Sequence, residues 1–175
     1  MTKALKMFYA SWMEKANNTN TDTINGIFDK FISLYVPYNA LYDSIPAVQV
    51  GGYGDQRKAT QEVVAFLDAN ALLNELTAKH NDDINEFIDI LAKMRFNIRL
   101  KQGMFHRPYD VELLRELQSA DVTTKVTAIL KFIYFVRCNL IHGSKELDPI
   151  QSQVVLPVTR IHTTVLTKLY DKLNL

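Results

Sequence analysis

Two side chains near the end of an apolar stretch could bind an anion and move a proton. Arg137 lies within the apolar run 129–141, and His142 follows it five residues later. A guanidinium is planar and can bind two oxygens of an anion at once. An imidazole titrates near neutral pH and can therefore transfer protons. Together with Asn139, which can donate and accept hydrogen bonds, they are the first candidates for a functional site.

The element that must position these residues is a predicted helix. Its apolar residues recur at steps of three and four, which is the pattern of a helix face. They are Val126, Ile129, Leu130, Ile133, Val136 and Leu140. Arg137 lies on or beside this stripe, so its charge requires a partner anion or a hydrogen-bond network. The helix is apolar nearly all round and must be covered on more than one side. Gly143 is a residue typical of helix ends.

Residues 134–143 resemble the motif of the HEPN superfamily, whose members are small all-helical domains and in many cases metal-independent ribonucleases. The shared features are Arg-x4-His, an asparagine two residues after the arginine and a glycine after the histidine. Residues 35–42, which contain Asn-Ala-Leu-Tyr, resemble the aromatic helix of some HEPN families. Pro37 departs from the pattern of that helix.

The resemblance implies a reaction and a set of roles. RNA would be cleaved without a metal through its 2′-hydroxyl, with Arg137 on the phosphate, His142 as the proton-transfer group and Asn139 orienting the RNA or the histidine. Tyr134 and Lys145 are further candidates for RNA binding because they are close in sequence. The resemblance also implies a homodimer with a shared cleft. A toxin or antiviral effector restrained by an antitoxin, such as a minimal nucleotidyltransferase, is one biological setting for such an enzyme.

Geometry leaves alternatives open. Five residues advance a regular helix by about 140°, so Arg137 and His142 do not share one face. They converge only if the helix ends near Leu140 or if a second subunit contributes. A buried arginine that ties helix ends together, with a histidine at the negative end of the helix dipole, explains the same residues without catalysis. The chain is then a non-catalytic helical module that binds RNA, a nucleotide or a protein partner, or a purely structural helical dimer.

A second candidate surface is the acid-free segment 90–109. Its basic residues are Lys93, Arg95, Arg99, Lys101 and Arg107. They alternate with aromatic residues, which suits single-stranded RNA because cations pair with phosphates and aromatic rings stack on bases. Accordingly Arg95, Arg99, Lys101 and Arg107 are predicted to contact RNA. A charge run is also typical of an ordinary solvated face, and the net charge of +1 restricts any RNA contact to a local patch.

Composition sets further bounds. The 175 residues suit one domain, 1–175, in which 1–18 form an N-terminal helical extension. Cys138 is the only cysteine, which excludes an internal disulfide and a Cys-based zinc site. HExxH and CxxC patterns are absent, and the histidines lack ligand spacing, so we expect no metal and no cofactor. Without a signal peptide or an apolar run of about 18 residues, we expect a cytoplasmic protein that does not enter the membrane.

The remaining sequence predicts helices throughout. We expect them at 3–16, at 24–45, at 56–78, from 81 into the basic segment, at 110–118, around the central motif and after Pro149. Asp55 and Asp110 are the expected caps of the helices that follow them. The helix at 24–45 is expected to be capped by Thr21, Asp22 or Thr23, and the central helix by Ser119 or Asp121. The glycines at 51–54 are interpreted as a turn, since no Walker lysine or preceding strand supports a phosphate-binding loop. The predicted fold is all-α, an up-and-down bundle of four main helices with additional helices.

Overall fold

The chain is helical throughout most of its length, as predicted. The computed structural model describes residues 1–95, 98, 100–101, 104–141 and 149–174. The helices are α1 (Lys3–Asn18), α2 (Ile24–Asp43), α3 (Pro46–Gly51), α4 (Asp55–Arg57), α5 (Val63–Leu67), α6 (Ala69–Ala92), α7 (Arg107–Leu117), α8 (Val122–Ile141) and α9 (Pro149–Asn174). A π-helical turn, Lys58–Glu62, joins α4 to α5. Two strands of two residues each, β1 (Leu100–Lys101) and β2 (Met104–Phe105), pair antiparallel.

The four longest helices, α2, α6, α8 and α9, form the predicted up-and-down bundle. Helix α9 packs against both α2 and α6, and α6 also packs against α8. The π-helical turn contacts α2 and α8 and so bridges the remaining side of the bundle. Helix α1 lies along α2, and its Tyr9 stacks on Tyr170 of α9 with ring centroids 3.7 Å apart. The predicted N-terminal extension is therefore docked on the bundle.

Local capping explains where two of the main helices begin. Thr23 precedes α2, and its hydroxyl oxygen accepts a hydrogen bond from the backbone nitrogen of Gly26 (3.1 Å). Asp121 precedes α8 and accepts from the backbone nitrogen of Thr124 (2.7 Å). Each cap satisfies a backbone N–H group that has no partner within its own helix. Both residues were among the candidate caps in the sequence, and these two predictions are confirmed.

The helix predicted at 56–78 is wrong in its boundaries. The chain breaks at Asp68, which has a φ of 71°, and its carboxylate caps α6 by accepting from the backbone nitrogen of Ala71 (3.0 Å). A positive φ is uncommon in residues other than glycine, although aspartate adopts it more often than most. The break expected at 80–82 is instead a kink inside α6, where His80 has φ −137° and ψ 27°.

Two expected caps have other roles. Gly54, rather than Asp55, precedes α4, and the Asp55 carboxylate is directed at side chains of other helices, described below. Helix α7 begins at Arg107, so Asp110 lies inside it. The Asp110 side chain is buried and accepts a hydrogen bond from the backbone nitrogen of Ile98 (3.3 Å). The Asp110 carboxylate therefore fixes the backbone at Ile98 and does not precede α7 as its cap.

The π-helical turn determines how the residues of α4 are rotated relative to those of α5. A π turn holds one residue more than an α turn and rotates the residues on its two sides relative to each other. The carbonyl of Ala59, within the turn, accepts a hydrogen bond from the buried hydroxyl of Tyr38 (2.5 Å). The turn is thereby fixed to α2.

Helix α8 is buried by its own chain. Phe132, Ile133, Phe135 and Val136 are all buried, and Phe132 stacks on Phe87 of α6 with centroids 3.9 Å apart. Its neighbours are α6, α7, α9 and the segment 58–67. The cover that this apolar helix requires on more than one side is thus provided by its own chain. None of the helices among the described residues is both long and apolar enough to span a membrane.

Candidate functional site

Arg137 lies one turn before the end of α8 and is mostly buried, with 20% of its side chain exposed. Its guanidinium lies over the ring of Tyr35, 5.1 Å from the centroid, and 6.0 Å from that of Tyr134. Nη1 is 3.7 Å from Asp55 Oδ2 and 3.8 Å from the sulfur of Cys138. Nε is buried and has no hydrogen-bond partner among the residues that the structure describes. The expected anionic partner is therefore Asp55, at a distance too long for a hydrogen bond.

Asp55 is the centre of this cluster. Tyr42 donates to Asp55 Oδ1 (2.6 Å), and Tyr134 donates to Oδ2 (3.1 Å). The side-chain amide of Asn39 contacts the same Tyr42 hydroxyl. Burial, together with the neighbouring carboxylate, raises the pKa of Tyr42 well above its usual value. Burial also raises the pKa of Tyr134, with Cys138 and Asp55 acting in the same direction. Both phenols thus remain protonated and able to donate.

A groove of about 320 Å³ opens beside Arg137, between α1, α2 and the end of α8. Its apolar walls are Phe8, Ile32, Val36, Ala40 and Ile141. Phe8 and Ile141 are 39% and 50% exposed. The other lining residues are Tyr35, Asn39 and Arg137. The Tyr35 hydroxyl is buried and, within the described part of the chain, has no hydrogen-bond partner. We name this surface the α1–α2–α8 groove.

Asn139 supports the fold. Its side chain is buried, and Nδ2 donates a hydrogen bond to the backbone carbonyl of Ile98 (2.7 Å). The same residue, Ile98, donates its N–H to Asp110. Asn139 and Asp110 therefore hold both backbone polar groups of one buried position. His142 and Lys145 lie outside the described residues, and their roles stay predictions. Helix α8 continues to Ile141.

The basic segment is paired with acids that precede it in the sequence. Arg95 forms ion pairs with Glu86 (2.6 Å) and Asp89 (2.9 Å), both on α6. Lys93 pairs with Asp89 as well (2.7 Å). The RNA-binding surface was predicted because the segment 90–109 contains no acid. The positive charges of Lys93 and Arg95 are nevertheless largely neutralised by carboxylates of α6, which precedes most of the segment.

The other basic candidates differ in what the structure describes. Arg107 Nη1 donates to the backbone carbonyl of Leu91 (2.8 Å), where it holds the start of α7 against the end of α6. Arg99 and the side chain of Lys101 lie outside the described residues. The prediction of RNA contact therefore rests mainly on Arg99 and Lys101.

A second polar cluster joins the kink of α6 to α9. His80 Nε2 lies 2.7 Å from the Thr164 hydroxyl, and Nδ1 lies 3.2 Å from Asp83 Oδ2. Arg160 binds the same carboxylate, with Nε 3.0 Å from Oδ1. The order Thr–His–Asp is that of a proton relay. Thr164 lies in the middle of α9, however, where backbone N–H groups are used within the helix and cannot stabilise an oxyanion. The cluster is best explained as a connection between helices.

Sequence reasoning missed several residues of the groove and its cluster. Asp55 was considered only as a cap, and 82 positions separate it from Arg137, so no helical spacing connects them. Tyr35 and Asn39 belong to the segment that carries the family resemblance, which was a usable signal. Phe8 shares one apolar face of the first predicted helix with four other residues, and nothing in the sequence distinguishes it from them. Among the described residues, no three His, Cys, Asp or Glu side chains form a group that could hold a metal ion.

Comparisons of the chain with protein-family models, with curated proteins and with solved structures found no match.

Proposed function

We propose that the protein is a metal-independent endoribonuclease of HEPN type that acts in the cytoplasm, with Arg137 binding the phosphate and His142 transferring protons. The observation that carries the proposal is the incomplete pairing of Arg137. A guanidinium that is mostly buried requires compensation. Its anionic neighbour is 3.7 Å away, and Nε has no partner in the described part of the chain.

A phosphate would complete this arrangement. Asp55 accepts hydrogen bonds from the phenols of Tyr42 and Tyr134, but at 3.7 Å it accepts none from Arg137. The guanidinium can therefore still donate hydrogen bonds to another anion. The rings of Tyr35 and Tyr134 flank the guanidinium and restrict its orientation. A fixed planar guanidinium binds phosphate oxygens with a smaller loss of conformational entropy than a mobile one. The site is therefore suited to an anion that brings several oxygens.

The proposed reaction follows from the family resemblance. The 2′-oxygen of a ribose forms a bond to phosphorus, and the bond from phosphorus to the 5′-oxygen breaks, which leaves a 2′,3′-cyclic phosphate. One proton leaves the 2′-hydroxyl and one is delivered to the departing 5′-oxygen. His142 can perform these transfers near neutral pH. Arg137 stabilises the negative charge that develops on the phosphate.

The test is cleavage of single-stranded RNA in the presence of EDTA, with detection of cyclic-phosphate ends. His142→Ala should abolish cleavage and leave the circular dichroism spectrum unchanged. His106→Ala is the matched control, because it removes an imidazole that contacts Tyr109 and lies outside the groove. Wild-type cleavage by the His142→Ala variant would contradict the catalytic proposal.

A second candidate is a non-catalytic module that binds RNA, a nucleotide or a protein partner. It is favoured by Asn139, a residue of the motif whose amide is engaged with the Ile98 backbone. This candidate predicts RNA binding that weakens in Arg137→Gln, with no cleavage by the wild-type protein. Binding and cleavage measured on the same RNA distinguish the two candidates.

The proposal includes partners. A homodimer follows from the resemblance, which implies a cleft lined by both copies of the motif. Analytical ultracentrifugation at micromolar concentration should then give twice the mass of one chain, and a strict monomer would exclude a shared cleft.

The second proposed partner is an antitoxin, such as a minimal nucleotidyltransferase. If the protein is a toxin, its expression should stop growth, and co-expression of the antitoxin should restore it. The His142→Ala variant, expressed without antitoxin, should not impair growth.

A further inference from the structure

We propose that the α1–α2–α8 groove is a nucleobase-binding subsite, which holds the base of the nucleotide whose phosphate is bound by Arg137. The inference rests on RNA as the proposed ligand and names the part of the RNA that this groove takes. It also gives α1 a role in ligand binding, because Phe8 of α1 forms one wall.

The size and walls of the groove suit a base. A volume of about 320 Å³ is at the lower end of the range for small-molecule sites, which run from about 300 to 1,000 Å³. The walls are apolar on α1, on α2 and at the end of α8. A nucleobase has two apolar faces, and Phe8 presents an exposed aromatic ring on which one face can stack.

The polar groups of the groove suit the edge of a base. The Tyr35 hydroxyl is buried without a partner among the described residues, which is unfavourable in the free protein. Burial raises the pKa of Tyr35 well above its ordinary value, so the hydroxyl stays protonated and can donate. Asn39 supplies an amide on the same helix one turn later, and its groups can both donate and accept. Ring nitrogens and carbonyl oxygens of a base are matching acceptors.

An aliphatic ligand suits the groove less well. A fatty acyl chain or an aliphatic side chain covers the apolar walls but leaves the Tyr35 hydroxyl without a partner among the described residues. A planar heterocycle can accept a hydrogen bond from this hydroxyl and still fill the apolar space. Arg137 at one end of the groove adds a preference for a ligand with an anionic group. A base attached to a phosphate through a ribose combines these properties.

The experiment measures binding of nucleoside 3′-monophosphates and of ribose 5-phosphate by calorimetry. The nucleotides should bind at least about tenfold more tightly, because only they can occupy the groove. Tyr35→Phe should weaken nucleotide binding by about fivefold to tenfold and leave ribose 5-phosphate binding unchanged. It should not destabilise the free protein, since the hydroxyl that it removes has no hydrogen-bond partner in the part of the chain that the structure describes. Phe8→Ala should weaken nucleotide binding by at least about fivefold.

Tyr38→Phe is the matched control. It removes a hydroxyl that donates to the Ala59 carbonyl and does not line the groove. It should therefore lower the free energy of unfolding and leave nucleotide affinity unchanged.

Three results would each overturn the subsite. The first is equal affinity for nucleotides and ribose 5-phosphate, and the second is a nucleotide affinity that neither Tyr35→Phe nor Phe8→Ala changes. The third is tighter binding of decanoate than of the nucleotide at the same site, measured by displacement of the bound nucleotide. These results concern binding and are independent of cleavage. Equal affinity in a protein that still cuts RNA overturns the subsite alone. Nucleotide preference in a protein that cuts no RNA supports the subsite and contradicts the nuclease.

Discussion

Asp55 on α4 and Arg137 near the end of α8 form a loose ion pair, with 3.7 Å between Oδ2 and Nη1. This distance allows electrostatic attraction but is too long for a hydrogen bond. The Asp55 oxygens accept instead from Tyr42 and Tyr134. The carboxylate therefore reduces the positive charge of the site without engaging the guanidinium. An arginine held this way remains able to bind another anion.

Replacing Asp55 with asparagine should affect stability and RNA binding in opposite directions. The free energy of unfolding should fall by about 1–2 kcal/mol, because two phenols lose a charged acceptor. RNA affinity should rise by about threefold, because one negative charge beside Arg137 is removed. Urea denaturation and RNA titration at fixed salt measure the two effects. Asp29→Asn is the control, as it makes the same change of charge at an exposed position of α2. Weaker RNA binding in Asp55→Asn would contradict the role given to Arg137.

Replacing Arg95 with glutamine should leave RNA binding nearly unchanged. Glu86 and Asp89 already neutralise this side chain, so it releases few counterions from a bound polyanion. Stability should change by less than about 1 kcal/mol, since the ion pairs are at the surface. The comparison is Lys101→Gln, for which the sequence-based prediction of RNA contact still stands. A lower salt dependence of RNA binding in Arg95→Gln would show that Arg95 exchanges its acidic partners for phosphate.

Replacing Asn139 with alanine should destabilise the fold by about 1–3 kcal/mol. The change leaves the buried carbonyl of Ile98 without its hydrogen bond from Nδ2. Thermal unfolding and denaturant titration measure the loss. RNA cleavage per folded molecule should be retained if the residue acts through the fold alone. Loss of cleavage with unchanged stability would restore Asn139 as a residue that contacts the RNA or His142.

His162 should make stability depend on pH. It is fully buried among the rings of Phe31, Tyr35 and Tyr38, and burial lowers its pKa to about 3. The unfolded chain, with a histidine pKa of about 6.5, binds more protons than the folded chain at any pH between these values. The free energy of unfolding should therefore decrease as the pH falls through this interval, by about 3 kcal/mol between pH 7 and pH 4.

The measurement is urea denaturation at several pH values, for the wild type and for His162→Leu. Carboxyl groups contribute to the pH dependence of both proteins, so the difference between the two curves isolates the histidine. His162→Leu should show the flatter curve in this interval. Parallel curves would mean that water or a proton reaches His162 in the folded state.

The fold class could be predicted because its signals are local. Apolar residues at steps of three and four marked the long helices, and Thr23 and Asp121 marked two helix starts through their short polar side chains. Helix boundaries in the middle of the chain could not be predicted. Asp68 adopts a positive φ that an aspartate can adopt but does not require. The kink at His80 accompanies a contact with Thr164, which belongs to a helix far away in the sequence.

The candidate site was predictable only in part, for a related reason. Arg137 was identifiable as a charged residue in an apolar stretch, which indicated that a partner must exist. The identity of that partner depends on which segment covers the end of α8, and this is a property of the whole fold. Arg95 shows the opposite case, because acids just outside an acid-free window remove the charge that the window suggested.

The π-helical turn at Lys58–Glu62 sets the angular phase of Asp55. One additional residue in a helix rotates everything before it by about 100° relative to everything after it. Asp55 therefore owes its direction towards Tyr42, Tyr134 and Arg137 to a single surplus residue. A chain shortened by one residue within this turn could keep a regular helix against α2 and α8, but its aspartate would point elsewhere. Insertion or deletion of one codon in this turn would thus move the Asp55 carboxylate away from Arg137. The charge beside Arg137 would change although every side chain of the site stayed the same.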